Sequence, residues 1–435
     1  MAKNPDIKKW RSYKFGMFLH YGLYSVIGEG EWVMFQKPID KDEYALTMKD
    51  FTAENFDAAG LASLARGAGM KYMVLTARHH DGFCLFDSKH SIGDYTVMNT
   101  PAQRDLIKEY TDACRAAGLG VGIYYSPMDW RCEGFFLPGM YRKSAMAMRE
   151  QCHRQVRELV TGYGTLDVLW YDGGEDYWLA HGVDLRKGCR PEDFRENPPI
   201  EEFWGELELD EMVREAQPGI VVGNRLGMRR TGDYLTPERV VGGFNPYEPW
   251  ETCDTLSETW GWTPGGRLRP AKDVIRLLIN VITGGGNLLL NLSPRGDGSP
   301  DPTHAKRLRE VGSWLAPYAD AVYPTDGGPL RNSKDRGGFT SDGCSLFCWL
   351  MDAESARIPL ISPAGREAGK TPARICDVIS RSRDTEYTID GDILTVTRTD
   401  GGDGIASLTE IVFDSEVSRV YDDINWCSDY DAFGQ

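Results

Sequence analysis

The sequence is short of the features that would tie it to a membrane, a nucleic acid or an oxidising compartment. Nowhere do about 18 apolar residues follow one another, so no helical membrane span is expected. The opening stretch, MAKNPDIKKWRSYKFG, has no apolar core of the kind a secretory signal needs, and none is expected. Basic residues are in deficit: 49 Lys and Arg stand against 65 Asp and Glu, a net charge of −16. Such a chain repels phosphate backbones and anionic lipid, which argues against nucleic-acid and membrane partners. No block of like charge marks a tail. The ten cysteines are scattered without a CxxC pair, and Cys84, Cys114 and Cys348 sit in apolar runs. A reduced thiol there acts as a small core residue, so a reducing, cytoplasmic setting is expected. Histidine is scarce, at seven, and no HxH or HExxH spacing occurs. Internal repeats and low-complexity segments are absent as well.

What is present is a large globular chain. Its 435 residues, 41% of them hydrophobic, exceed one small domain and fit a barrel with an accessory domain. Twelve Trp and 20 Tyr are many, enough to fill a large core or to line a sugar site. Short apolar runs predict strands at Lys14–Gly22, Tyr72–Thr76, Gly120–Ser126, Leu166–Trp170, Gly219–Asn224 and Asn287–Leu292. Between them, helical spacing predicts helices over Phe56–Gly69, Arg104–Ala117, Ser144–Gly162, Asp273–Thr283 and Ala305–Leu315. Nearly all-apolar strands alternating with helices signal parallel strands covered by helices, as in a (β/α)8 barrel. Asp176–Pro199 is polar and reads as a long loop over the strand ends. Beyond about Tyr323 the texture changes to short β-rich runs, Cys344–Leu350, Tyr387–Ile389 and Ile393–Thr399, broken by Gly-rich turns. The division expected is a catalytic barrel over 1–322 and an antiparallel β-sandwich over 323–435.

The polar candidates cluster at the C-terminal ends of the predicted strands, which face one mouth in a barrel. His20 ends the first, His79 and His80 the second, Tyr124 and Tyr125 lie in the third, and Arg225 follows the fifth. The fourth, LDVLWYDGG, ends on Asp172 and two glycines. The glycines make a poor helix start, so a functional carboxylate is preferred over a helix cap. Two chemistries use such a set. The first is metal binding by His20, His79, His80 and Asp172. It suits the adjacent histidines poorly, because neighbours on an extended segment point apart. The second is glycoside hydrolysis, which needs a second carboxylate on a later strand-end loop; Glu238 and Glu251 are the candidates.

These residues sit in a series of longer motifs. KFGMFLHYGLYSV, the GEW after it, ARHHDGFCLFDSKHS, GIYYSPMDW, LDVLWYDGG, GNRLG, GDYLTPE, PWETCDTLSETWGW and GGGNLLLNLSPRGDG follow one another in order. Together they resemble the α-L-fucosidases of glycoside hydrolase family 29, over roughly residues 10 to 300. The resemblance implies retaining exo-hydrolysis of terminal α-L-fucosides on a fucosylated oligosaccharide or glycoconjugate. It implies Asp172 as nucleophile, Glu238 as the first match for the acid/base and Glu251 as the second. His20, Glu31, Trp32, His79, His80, Tyr124, Arg225 and Trp260 would then surround the fucose ring. No metal and no cofactor is expected, and self-association is left open. The alternatives are a catalytically weak carbohydrate-binding relative, a metal-dependent hydrolase and a hydrolase for α-L-galactosides. The chain departs from the family pattern at Tyr21, at Leu226 and in TWGW, positions that bear on which sugar or aglycone fits.

Overall fold

The computed structural model describes residues 5–175, 178–179, 202–227, 231–399 and 402–434. Seven parallel strands make one sheet: β1 (Phe15–Leu19), β2 (Tyr72–Arg78), β3 (Gly120–Tyr125), β4 (Val168–Tyr171), β5 (Val221–Val222), β6 (Glu251–Thr255) and β7 (Asn287–Leu292). The order is β5-β4-β3-β2-β1-β7-β6, so the sheet wraps from β1 to β7. Residues 234–238 fill the gap between β5 and β6 by single parallel bridges. Gly223 bridges Tyr234 on one side; Leu235 and Glu238 bridge Trp250 and Cys253 on the other. With that stave the sheet closes into a (β/α)8-like barrel.

Helices Ala58–Gly67, Leu106–Ala116, Arg142–Gly162, Glu206–Ala216 and Ala271–Thr283 lie between strands, and Pro302–Leu315 follows β7. Asp57, Asp105 and Asp301 cap three of them by accepting the backbone N–H of Gly60, Lys108 and Thr303. The strands are buried along their whole length because both faces are covered. Inside the barrel, Phe18, Val74, Tyr124, Val168, Trp170 and Leu289 pack into one cluster. Among the described residues no helix is long and apolar enough to cross a membrane.

The remaining strands pair antiparallel. β8 (Asp326–Gly327), β9 (Gly337–Asp342), β10 (Ser345–Leu350), β12 (Ile375–Ser380) and β15 (Ser407–Phe413) form one sheet. β11 (Ser355–Pro359), β13 (Thr385–Asp390) and β14 (Ile393–Arg398) form the other. Arg276, on helix Ala271–Thr283, joins this region to the barrel by donating to Ile405 O at 2.9 Å and Asp352 Oδ1 at 2.7 Å.

Four features differ from the sequence reading. The fifth strand shrinks from Gly219–Asn224 to Val221–Val222. Helix Glu206–Ala216 was not expected: its apolar stripe is only Leu209, Met212 and Val213, set among carboxylates. Strand β6 is equally hidden, since ETCDT is polar; its buried acids are paired, Glu251 with Tyr72 and Trp170, Asp254 with Arg269. After β1 the chain forms two short helices, Leu23–Ile27 and Val33–Gln36, that the reading of apolar runs did not find. The expected loop Asp176–Pro199 lies outside the described residues, apart from Trp178 and Leu179.

Arg78, at the end of β2, is fully buried. It donates to Ser126 O at 2.5 Å, Met128 O at 2.6 Å and Asp129 Oδ2 at 2.7 Å. It thereby holds the loop after β3 in place. Removing one partner of a buried pair strands the other charge. Asp129→Ala is therefore expected to destabilise the chain by about 3–5 kcal/mol in chemical denaturation. A loss under about 1 kcal/mol would show that the pair does not anchor the loop.

Candidate active site

Over the C-terminal ends of the strands lies a cavity of about 920 Å³. His20, Glu31, Trp32, His79, His80, Tyr124, Asp172, Arg225, Glu238 and Trp260 all line it. Glu251 does not. It starts β6, at the opposite end from the mouth, and is fully buried. There it accepts from Tyr72 Oη at 2.5 Å and Trp170 Nε1 at 3.0 Å. The expectation that it sits on a strand-end loop is corrected: it is a core carboxyl beneath the site. Burial raises it to about 7, against which the Tyr72 and Trp170 hydrogen bonds work.

Asp172 follows β4 and is held from several sides. Tyr124 Oη donates to Oδ2 at 2.9 Å and Arg225 Nη1 to Oδ1 at 3.1 Å. Burial alone would raise this carboxyl, but the Arg225 charge, His80 and the Tyr124 hydrogen bond outweigh it, and the net direction is down. The backbone turn after it needs glycine: Gly173 has φ +71°, and a Cβ there would stand 2.1 Å from Met128 Cε. Arg225 lies over the Trp170 ring, 4.9 Å from its centroid. The same Nη1 that reaches Asp172 also donates to Glu238 Oε2 at 2.9 Å. Trp260 Nε1 donates to Glu238 Oε1 at 3.0 Å. Glu238 itself lies on the closing stave and its side chain is 39% exposed, so it faces both the cavity and solvent.

The histidines form a neutral wall. Burial pushes His20 down to about 3, His80 to about 4 and His79 well below its ordinary value. His20 Nδ1 pairs with Asn291 Oδ1 at 2.8 Å and His80 Nδ1 with Ser126 Oγ at 2.7 Å. His80 Nε2 is 3.5 Å from Asp172 Oδ2. Contrary to the reading that adjacent histidines point apart, the rings of His79 and His80 lie 4.1 Å apart. The strand ends at Arg78, and the chain then turns, with Gly82 N–H on His79 O. Strand alternation no longer applies. Among the described residues no group of three or more His, Cys, Asp or Glu is placed to hold a metal ion. Glu31 is buried and accepts from Gly261 N at 2.7 Å, tying the GEW segment to the Trp260 loop.

Several lining residues were missed from sequence. Phe18, Trp170, Glu175, Trp178, Asn224 and Thr236 all face the cavity. Period-two alternation carried the signal for two of them, since Phe18 shares a strand face with His20 and Trp170 with Asp172. Tyr21 is buried behind the wall, donating to Gly296 O at 3.0 Å, and neither it nor Leu226 lines the cavity.

A family model described as alpha-L-fucosidase matches residues 1–320. The chain is 29% identical over 344 residues to the human plasma alpha-L-fucosidase, covering 72% of this chain and 68% of that one. Alpha-L-fucosidase isoenzyme 1 from Paenibacillus thiaminolyticus superposes with a TM-score of 0.76 at 32% identity. The match covers 94% of this chain and 99% of that one. An alpha-L-fucosidase from Bacteroides thetaiotaomicron matches in fold, with a TM-score of 0.79 at 24% identity over 95% of this chain and 96% of the other.

The two carboxyls with disputed roles make separable predictions. Glu251 loses its proton less readily folded than unfolded, so its contribution to stability is full below the ordinary value of 4.5 and is lost as pH rises through about 7. Glu251→Gln should flatten the stability–pH curve across that window and leave hydrolysis largely intact. A loss of activity as deep as that of an Asp172 variant would return Glu251 to the site.

Proposed function

The chain belongs to the α-L-fucosidase family of glycoside hydrolases, and from that membership we propose how its site cleaves a fucoside. The activity is hydrolysis of α-L-fucosides, and the substrate class is a fucosylated molecule. The family and structural matches do not favour a catalytically weak binding relative or an α-L-galactosidase. In the proposed mechanism Asp172 attacks the anomeric carbon and forms a glycosyl-enzyme, and Glu238 protonates the departing oxygen and then activates water.

One observation carries the retaining assignment. Arg225 Nη1 stands 3.1 Å from Asp172 Oδ1 and 2.9 Å from Glu238 Oε2. Those oxygens are therefore at most about 6 Å apart, below the roughly 6.5–9.5 Å that inverting enzymes keep between their carboxyl groups to admit water. The Arg225 and Tyr124 contacts support Asp172 as an ionised nucleophile. The neutral histidines support hydrogen bonding to ring hydroxyls, since each ring can donate and accept. Phe18 and Trp260, 5.8 Å apart between ring centroids, offer an apolar wall for the C5 methyl of fucose. Buried unpaired thiols at Cys84, Cys114 and Cys348 support a reducing, cytoplasmic setting as our proposal. The acidic surface supports the absence of nucleic-acid and membrane partners.

Asp172→Gly should reduce turnover of an aryl α-L-fucoside by about three orders of magnitude or more, and azide should restore part of it by filling the space of the lost carboxylate. Near-normal activity in that variant would remove Asp172 from the mechanism. General acid help is worth about 10²–10⁴-fold where the leaving group is poor. Glu238→Ala should therefore be far more damaging on fucosyl-oligosaccharides than on a dinitrophenyl fucoside. Equal losses on the two substrates would point to another acid.

A further inference from the structure

Glu175 is a carboxyl of the cavity wall that the mechanism above leaves unused. It follows Asp172, Gly173 and Gly174, and its backbone is fixed on both sides. Gly174 N–H donates to Arg225 O at 3.1 Å, Gly227 N–H to Gly174 O at 2.8 Å and Trp178 N–H to Glu175 O at 2.9 Å. Its Oε2 is buried and has no hydrogen-bond partner among the described residues. An unpaired buried polar atom keeps its desolvation cost until a ligand meets it. The charged groups facing it are Asp172, Glu238 and Arg225. Burial, followed by the Asp172 charge, pushes it up to about 7. In its protonated form it offers an O–H donor beside a carbonyl acceptor, a donor–acceptor pairing that an amide can also present.

Position assigns it to one side of the reaction. His20, His79, His80, Tyr124 and Trp170 form the buried end of the cavity, where a terminal sugar would be enclosed. Trp32, Glu175 and Trp178 are half-buried, and Glu238 is exposed, so these form the open end. Trp32 and Trp178 lie 5.7 Å apart between ring centroids and give that end an apolar face. A group leaving past Glu238 crosses this end. An aromatic face beside a single hydrogen-bonding carboxyl suits a second sugar.

We propose that Glu175 recognises the leaving group: it hydrogen-bonds a hydroxyl of the sugar that carries the fucose, while that sugar lies against Trp178. The proposal rests on the fucosidase reading and specifies its acceptor side. The experiment compares the chain, Glu175→Gln and Glu175→Ala on a fucosyl-galactose disaccharide and on 4-nitrophenyl α-L-fucoside, which has no sugar hydroxyls on its leaving side. For Glu175→Ala, the ratio of kcat/KM on the disaccharide to that on the nitrophenyl fucoside should fall about tenfold, the worth of one well-made hydrogen bond, with the loss in KM. Glu175→Gln should keep the ratio within about threefold, as the amide supplies the same donor and acceptor. An unchanged ratio in Glu175→Ala, or a Gln variant as impaired as the Ala variant, would overturn the assignment. Equal losses on both substrates would do the same, placing Glu175 in support of Asp172 instead. Inactivity of the unmutated chain on both substrates would overturn the fucosidase reading beneath it.

Discussion

Arg225 is the contact on which the site depends. One guanidinium nitrogen meets both Asp172 and Glu238, while Nε and Nη2 are held by Thr236, on its Oγ1 at 2.9 Å and its backbone O at 2.9 Å. Two carboxylates brought this close would otherwise repel and take up a shared proton. The cation between them keeps Asp172 ionised in a pocket whose burial works the other way. It also joins β4 to the closing stave, so charge balance and barrel closure are one problem with one solution. The Trp170 ring beneath the guanidinium adds a cation–π contact, and Trp170 in turn stacks on Tyr124, 5.6 Å between centroids.

Below that plane the support is equally connected. Glu251 accepts from Trp170, Trp170 stacks on Tyr124, and Tyr124 donates to Asp172. A polar group at the barrel floor thus fixes the aromatic layer on which Asp172 rests. Burial, which silences the histidines as bases, leaves them able to pair with hydroxyls. The site pairs the Asp172 carboxylate with the Arg225 cation and sets neutral histidines beside them, a pattern suited to holding an uncharged sugar.

Much of this was legible in the sequence because strands buried on both faces are written as apolar runs. The residue that breaks such a run at its end then stands out, as His20, Asp172 and Arg225 do. What was not legible has a physical reason in each case. β6 is polar because its acids are paired inside the fold, so its sequence resembles a loop. The stave at 234–238 has no regular ladder and, among the described residues, no helix between it and β5, so periodicity could not reveal it. The direction of the His79 and His80 rings depends on where β2 stops, a boundary that neither side chain encodes. Glu175 follows a Gly–Gly pair, and only the cavity shows which way it faces. The motif series reached Glu238 where spacing alone left it level with Glu251.

The closing stave has a consequence for how such a barrel can diversify. Asp172 follows a strand with continuous ladders, so its position is set by the sheet itself. Glu238 sits on a segment fastened by isolated bridges rather than by a continuous ladder. Asp172 is thus built into the frame, and Glu238 is mounted on an adjustable bracket. Length changes around residues 231–250 would shift Glu238 relative to Asp172, and would do so while the strand that carries Asp172 keeps its register.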